Sequence, residues 1–410
     1  MASQPGKLVR VAYKEMVDIA TPPGASDAKV LVINPGPGLK LSKTPILPNA
    51  VRADGLGLMA RHGSVSVAGS YPADIVVGGL DDLLEAAMRD SWQAPLELDE
   101  ADFTSITTTS DTIVAASGSW ITLGLRVGDV IRLTDHSTAA NNGRNLRIKA
   151  LTATTITLHR PVENGVEVNP LTANATPDTD VTITRLKKLT NNADAPVRRM
   201  FRFEQHYQGI DASQVFDGCR VVGFTITGSP DGMATIEFQM LGAKMETLEG
   251  ANAPYFTSPA VPIGDGLVFS DARISVGGVD IAVATAFELT YQITAATLPV
   301  VGSQVSPDVY DNDAVLSGSF SLARQSLANV NAFVNETEFE LHVLLRRPGA
   351  EPQDCLSLFV PRIKFNDNDA PLGADGPMIE SAPWNSGQIR GVSGYDTTLL
   401  TMCTSSAFVP

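Results

Sequence analysis

Charge is what this sequence has least of. Only 18% of its 410 residues are charged, against a usual share of about a quarter, and aromatic residues make up just 6%. The basic sign is the scarcer one: 30 Lys and Arg against 45 Asp and Glu give a net charge of −15. A protein that grips nucleic acid nonspecifically needs basic patches to displace phosphate counterions, so this balance excludes that class. It leaves open a surface that lets DNA pass without holding it. Cysteine is nearly absent, and Cys219, Cys355 and Cys403 are an odd number in a long chain, which argues against a disulfide framework. No apolar run approaches the ~20 residues of a membrane span, and the first residues carry no apolar leader core. A soluble protein assembled in a reducing cytoplasm is expected.

Catalytic signatures are missing as well. The five histidines, His62, His136, His159, His206 and His342, keep no metal-ligand spacing with one another or with the cysteines. There is no Gly-x-Ser-x-Gly elbow, phosphate-binding loop, CxxC pair or zinc-protease motif. Gly55-Leu56-Gly57-Leu58-Met59-Ala60 spells a dinucleotide fingerprint but follows a Pro-rich stretch instead of a buried strand. Asn366-Asp367-Asn368-Asp369 lacks the Gly and the distal carboxylate of a calcium loop, and Asp311-Asn312-Asp313 runs straight into Ala314 and Val315. Turn chemistry accounts for both clusters. No catalytic residue, cofactor or metal is expected.

What fills the gap is Thr, Ser, Ala, Gly and Asn, a composition of strands and tight turns. Two short apolar stretches, Leu8–Tyr13 and Ala28–Ile33, flank Pro22-Pro23-Gly24. From Asn34 to Gly63 Pro and Gly dominate, with Pro35, Pro37, Pro45 and Pro48, and no period is sustained. That segment is expected to be a long loop ordered by a partner. Ser64–Ser70 alternates like a half-buried strand, and Leu80–Met88 reads as a helix with Asp81 and Asp82 in its first turn. From residue 97 to 189 the texture becomes Thr- and Ser-rich. Strands are expected at Trp120–Leu123, Asp129–Leu133, Leu146–Leu151, Thr155–His159 and Val181–Leu186, with a tight turn at Asn141-Asn142-Gly143. This reads as a small all-β module inserted into a host unit of residues 1–96 and 190–250. Longer host strands follow at Met200–Tyr207, Cys219–Thr227 and Met233–Leu241.

Residues 251–410 read as a second copy of that unit. Phe203-Glu204-Gln205-His206 recurs as Phe339-Glu340-Leu341-His342. The hairpin from Arg220 to Glu237 has a counterpart from Arg362 to Glu380, and Val67–Tyr71 with its helix resembles Leu316–Phe320 followed by Leu327–Val334. Without about 90 inserted residues the chain divides into two units of about 160, each an ordinary domain size. The fold class read from this is mainly β: two tandem sandwich or barrel units, each with a short flanking helix, plus the inserted module. Glu204, Glu237, Glu288, Glu338 and Glu340 lie in alternating strands beside Thr235, Gln239, Thr290 and Gln292, so each strand is expected to show one apolar and one acidic face.

Three ordered stretches carry a resemblance. The first is Gln214–Val221 leading to Phe224-Thr225-Ile226 and Ala234–Lys244. The second is Val51-Arg52-Ala53-Asp54 to Gly69-Ser70 with Asp81–Ala87. The third is Gly128–Leu133 to Ala140–Arg144 with Ala150–Thr155. Together they resemble the tail tube (major tail) proteins of long-tailed, non-contractile bacteriophages. The resemblance implies a β-sandwich flanked by a helix, homo-oligomeric rings stacked into a tube, and a lumen through which genomic DNA enters the host. The implied partners are further copies of the chain, the tape measure, tail terminator and baseplate or tip proteins, and passing double-stranded DNA, with no membrane. The implied location is the virion tail. Two tube units per chain would let three chains close a pseudo-six-fold ring. The five glutamates are the lumen candidates, and Pro35, Pro37, Pro45, Pro48 and Arg52 the inter-ring loop candidates. The competing reading is a virion receptor-binding or decoration protein with the Thr-rich insert as its adhesion module.

Overall fold

The computed structural model describes residues 3–49, 53–163, 165–174, 176–191, 194–281, 283–349, 351–370, 372 and 376–405. The chain opens with β1 (Val9–Met16), β2 (Lys29–Leu31), β3 (Gly38–Ile46), β4 (Arg61–Asp74) and helix α1 (Asp81–Met88). A compact set follows: β5 (Leu96–Leu98), α2 (Glu100–Phe103), β6 (Ile106–Thr108), β7 (Thr112–Ala115), β8 (Val130–Thr134), β9 (Leu146–Leu151), β10 (Thr155–Leu158), β11 (Val162–Glu163), β12 (Val166–Glu167) and β13 (Thr182–Arg185). Then come β14 (Lys187–Thr190), β15 (Met200–Tyr207), β16 (Ala212–Gly228), β17 (Thr235–Gly242) and β18 (Lys244–Glu249). The last stretch holds β19 (Arg273–Val276), β20 (Val279–Asp280), β21 (Ala284–Thr297), β22 (Val309–Ala323), α3 (Ala328–Val334), β23 (Phe339–Arg346), β24 (Cys355–Phe365), β25 (Ile379–Ser386) and β26 (Thr401–Thr404).

Antiparallel ladders join seventeen of these strands into one network. Its hub is β16, seventeen residues long. The first half of β16 pairs with β15 and β18; past a register shift at Val221/Gly223, the second half pairs with β17 and β21. A strand that changes partners at a bulge turns a corner between two layers, as sandwiches require. From β16 one ladder runs outward as β17, β4 and β3, and another as β15, β1 and β2. Around β24 the order is β25, β22 and β21 on one side and β23, β19 and β20 on the other. The layers enclose one large apolar cluster that includes Phe203, Phe224, Phe238, Tyr291, Phe320 and Trp384.

Close backbone packing explains two glycines. A Cβ on Gly69 would stand 2.1 Å from the Gly38 carbonyl oxygen, and one on Gly318 would stand 2.3 Å from that of Glu288. Any side chain there would force β3 off β4, or β21 off β22.

Helix α1 forms where the sequence predicts it and buries Leu83, Leu84, Ala86, Ala87 and Met88. Its first-turn carboxylates are paired, Asp81 with Lys187 at 2.5 Å and Asp82 with Lys29 at 2.6 Å. Strand β15 coincides with the expected Met200–Tyr207. Two expectations fail. Trp120–Leu123 is a turn: Trp120 is fully buried and its indole Nε1 donates to the Thr154 carbonyl at 2.9 Å, pulling the backbone out of a ladder. The Asn34–Gly63 segment is not structureless, because β3 pairs with β4 from Gly38 to Ile46. Pro45 sits within β3 beside a register shift after Lys43. It is tolerated because β4 is the only partner of β3 among the described residues, so the ladder loses nothing on the outer edge.

Residues 96–185 contain a seven-stranded sheet in the order β5-β13-β8-β9-β10-β7-β6, with a separate apolar cluster around Phe103, Trp120, Ile131, Ile148 and Ile183. Its first and last strands pair, Leu96 opposite Arg185, so the chain enters and leaves at one point. The next strand, β14, leaves this sheet and pairs with β26. This small body rests on the β23–β26 side of the network. Val130 and Leu186 pack with Leu344, Cys355 and Cys403. All three cysteines are free and buried. At the same joint Lys188 Nζ lies 2.6 Å from Asp129 and 2.5 Å from Asp396. Lys188 and Asp129 are fully buried.

Removing one member of a buried pair strands the other's charge. We therefore expect Lys188→Ala to destabilise the chain by about 3–5 kcal/mol. Lys188→Met combined with Asp129→Leu should recover most of that loss. Chemical denaturation of the three proteins measures both.

Candidate assembly and channel surfaces

Six strands present one continuous, chemically two-sided surface. Across β4, β17, β16, β21, β22 and β25, cross-strand neighbours form the row Pro72–Glu237–Thr225–Thr290–Ser317–Asn385. The parallel row is Asp74–Thr235–Thr227–Glu288–Ser319–Pro383. Side chains in between turn the other way: Ala73, Ile236, Ile226, Leu289 and Trp384 are all buried. Period-two alternation on strands this long puts the hydroxyls and carboxylates of both rows on one face. Hydroxyls bond across the face, Thr225 with Thr290 at 3.2 Å and Thr227 with Thr235 at 2.8 Å. At a strand spacing of about 4.8 Å, six strands make a face about 24 Å wide.

The five glutamates singled out in the sequence do not share this face. Glu237 is half-buried and Glu288 exposed, and both lie on it. Neither has a basic partner among the described residues. Glu204 must be withdrawn from the channel candidates because it is fully buried. Its carboxylate accepts the Ser213 hydroxyl at 2.7 Å and the backbone N–H of Phe256 at 3.0 Å, fastening the 255–256 segment over β15. Glu338 precedes β23 and is bound by Arg362 through two contacts of 2.6 Å. Glu340 is half-buried in a small cleft with Gly277, Phe339 and Tyr395. Burial pushes its carboxyl up to about 7, opposed by the nearby Lys149 of the seven-stranded body.

The proline-rich candidates lie on or beside a protruding hairpin. Pro35 and Pro37 are exposed before β3, Pro45 is exposed within it and Pro48 just beyond it. Arg52 lies outside the described residues. The hairpin's far end exposes Ile46, Leu47, Leu56 and Met59, with Met59 at 90% accessibility. It is braced by the loop between β21 and β22, where the Gln304 carbonyl accepts the Val65 N–H at 2.9 Å. That loop exposes Leu298, Val300 and Val301. Two apolar tips thus stand side by side.

The acidic clusters are structural. Asp311 pairs with Arg89 at 3.1 Å and Arg198 at 2.9 Å and belongs to β22, so strand pairing, not turn chemistry, explains Asp311-Asn312-Asp313. No group of carboxylates, histidines or cysteines that could hold a metal ion occurs among the described residues. His206 and His342, repeated in the sequence, are both buried, and each bonds a serine of the neighbouring strand: Ser213 at 3.1 Å and Ser357 at 2.7 Å. No helix among the described residues is long and apolar enough to cross a membrane.

A family model described as phage tail tube protein matches residues 6–386. The chain belongs to this family. No curated protein matches it. As a tail tube protein it is a structural component of the phage virion and not an enzyme. The two-faced antiparallel sheets and few short helices are consistent with a tail-tube β-sandwich.

The elevated Glu340 carboxyl makes a pH prediction. A carboxyl whose folded pKa exceeds its unfolded value binds more protons when folded, so stability falls as pH rises from about 4.5 to about 7. Glu340→Gln should therefore melt higher than the parent at pH 8 and nearly together with it at pH 4. After discounting for partial exposure the gain at pH 8 is about 1–2 kcal/mol. Thermal melts across this range test the sign.

Proposed function

We propose that this tail tube protein closes into a ring of three chains with pseudo-six-fold symmetry, and that stacked rings form a hollow conduit for DNA. The observation that carries the reading is the repeated strand order. The series β1, β2, β3, β4, α1, β15, β16, β17 matches β19, β20, β21, β22, α3, β23, β24, β25, with like partners throughout. Gly69 and Gly318 supply the register, each pressed against the carbonyl of a matching neighbour. Bulges agree too, at Phe201/Phe203 on β15 and Phe339/Leu341 on β23. On this alignment Phe201, not Phe203, corresponds to Phe339, and Ser381, not Glu380, corresponds to Glu237. The sequence likeness was therefore offset by two residues in one strand and one in another. In the same reading, residues 97–189 are a module carried on the outside of the ring.

The junction between the two units supports a ring-closing contact. Within the chain, the second half of β16 covers the edge of β21, with Thr225 opposite Thr290 and Gly223 opposite Gln292. The matching edge of β3 is free among the described residues, and so is the outer edge of the 366–370 segment that continues β24. Pairing those two edges between neighbouring chains sets Asp369 opposite Lys40 and Asn366 opposite Ser42. The edges are oppositely charged, Lys40 and Lys43 against Asp367 and Asp369. Eight strands from each of three chains then give a closed wall about 37 Å across between backbones at a spacing of about 4.8 Å per strand. The polar rows with Glu237 and Glu288 face inward, where carboxylates repel phosphate and let DNA slide. The apolar tips at Met59 and Val301 are the contacts to the next ring.

The ring test uses Lys40→Cys and Asp369→Cys in one chain. Oxidised tubes should give a covalent ladder that ends at three chains on denaturing gels. A ladder ending at six would overturn the stoichiometry, and none at all would overturn the edge assignment. The channel test replaces Glu237 and Glu288 by Lys. Tubes should still form, while genome ejection slows or stalls, because repulsion of phosphate becomes attraction. Unchanged ejection rates would remove these two residues from the wall.

A further inference from the structure

A cavity between the seven-stranded body and the sheet network carries the opposite sign to the rest of the chain. It measures about 60 Å³ and is lined by Arg144, Arg147, His159, Arg273 and Arg346, among others. A single water needs only about 10–15 Å³, so several waters or one small polyatomic ion fit. In a chain of net charge −15, four arginines against two glutamates, Glu163 and Glu351, in the lining of one space call for an explanation.

The existing pairs do not use up these donors. Arg147, at 3% side-chain exposure, engages Asp280 through Nη2 at 2.7 Å and 2.9 Å. Its Nη1 is buried with no partner. His159 is buried, and the Ser275 hydroxyl lies 3.2 Å from its Nδ1, while Nε2 has no partner. With Ser275 donating to Nδ1, Nε2 carries the hydrogen and is a second idle donor. Arg273 reaches Glu163 on the cavity's open side, and Arg346 bonds the Asp271 carbonyl and the Gln353 side chain. Burial and the charges of Arg346 and Arg147 push the Arg273 guanidinium down to about 10. Unpaired buried donors and mutually repelling cations are both relieved by one anion.

We propose that this cavity binds a tetrahedral oxyanion, inorganic phosphate or sulfate, and that the ion ties the seven-stranded body to strands β19 and β23. The donors come from both sides of the joint: Arg144 and Arg147 precede or lie on β9 and His159 follows β10, while Arg273 lies on β19 and Arg346 ends β23. Bound ion therefore stabilises the docked arrangement and not either side alone. The inference is independent of ring stoichiometry and of the channel assignment.

Calorimetric titration of the full-length protein with inorganic phosphate tests it, alongside thermal melts in phosphate and in chloride at equal ionic strength. The expected result is a single saturable site and a melting temperature that rises to a plateau in phosphate but not in chloride. Arg273→Gln with Arg346→Gln should weaken binding at least about tenfold, the loss of charge-assisted bonds. Should that pair not fold, Arg144→Gln, on the rim, should weaken binding in the same direction. No titration heat in the parent, or a melting rise of equal size and no plateau in parent and variant, would overturn the proposal.

Discussion

The fold depends on strand β16 serving two layers at once. Its seventeen residues reach from the β15–β18 layer into the β17–β21 layer, and the corner between them is set by the shift at Val221/Gly223. Gly223 is required there because a Cβ would meet the Tyr291 carbonyl at 2.6 Å. Beyond that corner, strict alternation does the sorting. Phe224 and Ile226 go to the core while Thr225 and Thr227 go to the polar face. Five neighbouring strands copy the pattern, so a single register decides the chemistry of a surface six strands wide. A one-residue slip in β16 would exchange the two faces.

A second set of forces fixes the seven-stranded body, and here burial of charge is added to burial of apolar area. One apolar cluster at this joint joins Val130, Leu186, Leu344, Cys355 and Cys403. Ion pairs cross the same joint, Lys188 with Asp129 and Asp396, and Arg147 with Asp280, beside neutral hydrogen bonds such as Asn145 to the Gln353 carbonyl at 3.0 Å. Buried ion pairs add little net stability over an apolar substitute, but they punish misalignment heavily. A joint built this way specifies one orientation of the module. That suits a body that must sit identically on every copy in an assembly.

Much of this was legible in the sequence, and what was not has physical causes. Helix α1 was legible because Asp81 and Asp82 open an apolar run of helical spacing, and the polar face because β16, β17 and β21 alternate cleanly. Strand β3 was hidden, since an edge strand whose outer half is exposed on both faces shows no alternation and tolerates Pro45. Glu204 misled for the opposite reason. In β15 every residue from Phe201 to His206 is buried, so the rule of one wet face does not apply to that strand. The partners of its carboxylate come from Ser213 and from residues 255–256, some fifty positions away, and no local pattern announces them. The arginine cavity was invisible for a similar reason, because its two groups of donors, one ending at His159 and the other starting at Arg273, lie more than a hundred residues apart in sequence.

If the polar face lines the proposed conduit, the scarcity of charge acquires a physical meaning there. A dense carpet of carboxylates would repel DNA strongly but would also repel itself, and closing identical faces into a ring would multiply that cost. The two rows instead carry mostly Thr, Ser, Asn and Pro, with Glu237, Glu288 and Asp74 spaced among them. Hydroxyls satisfied by one another, as Thr225 and Thr290 are, offer a phosphate little to gain by stopping. In the proposed conduit, sparse carboxylates would repel phosphate at little cost to the wall. A smooth neutral surface with a weak negative bias is therefore a better conduit than a strongly acidic one, and most of the −15 charge is then free to lie elsewhere, paired or exposed to solvent.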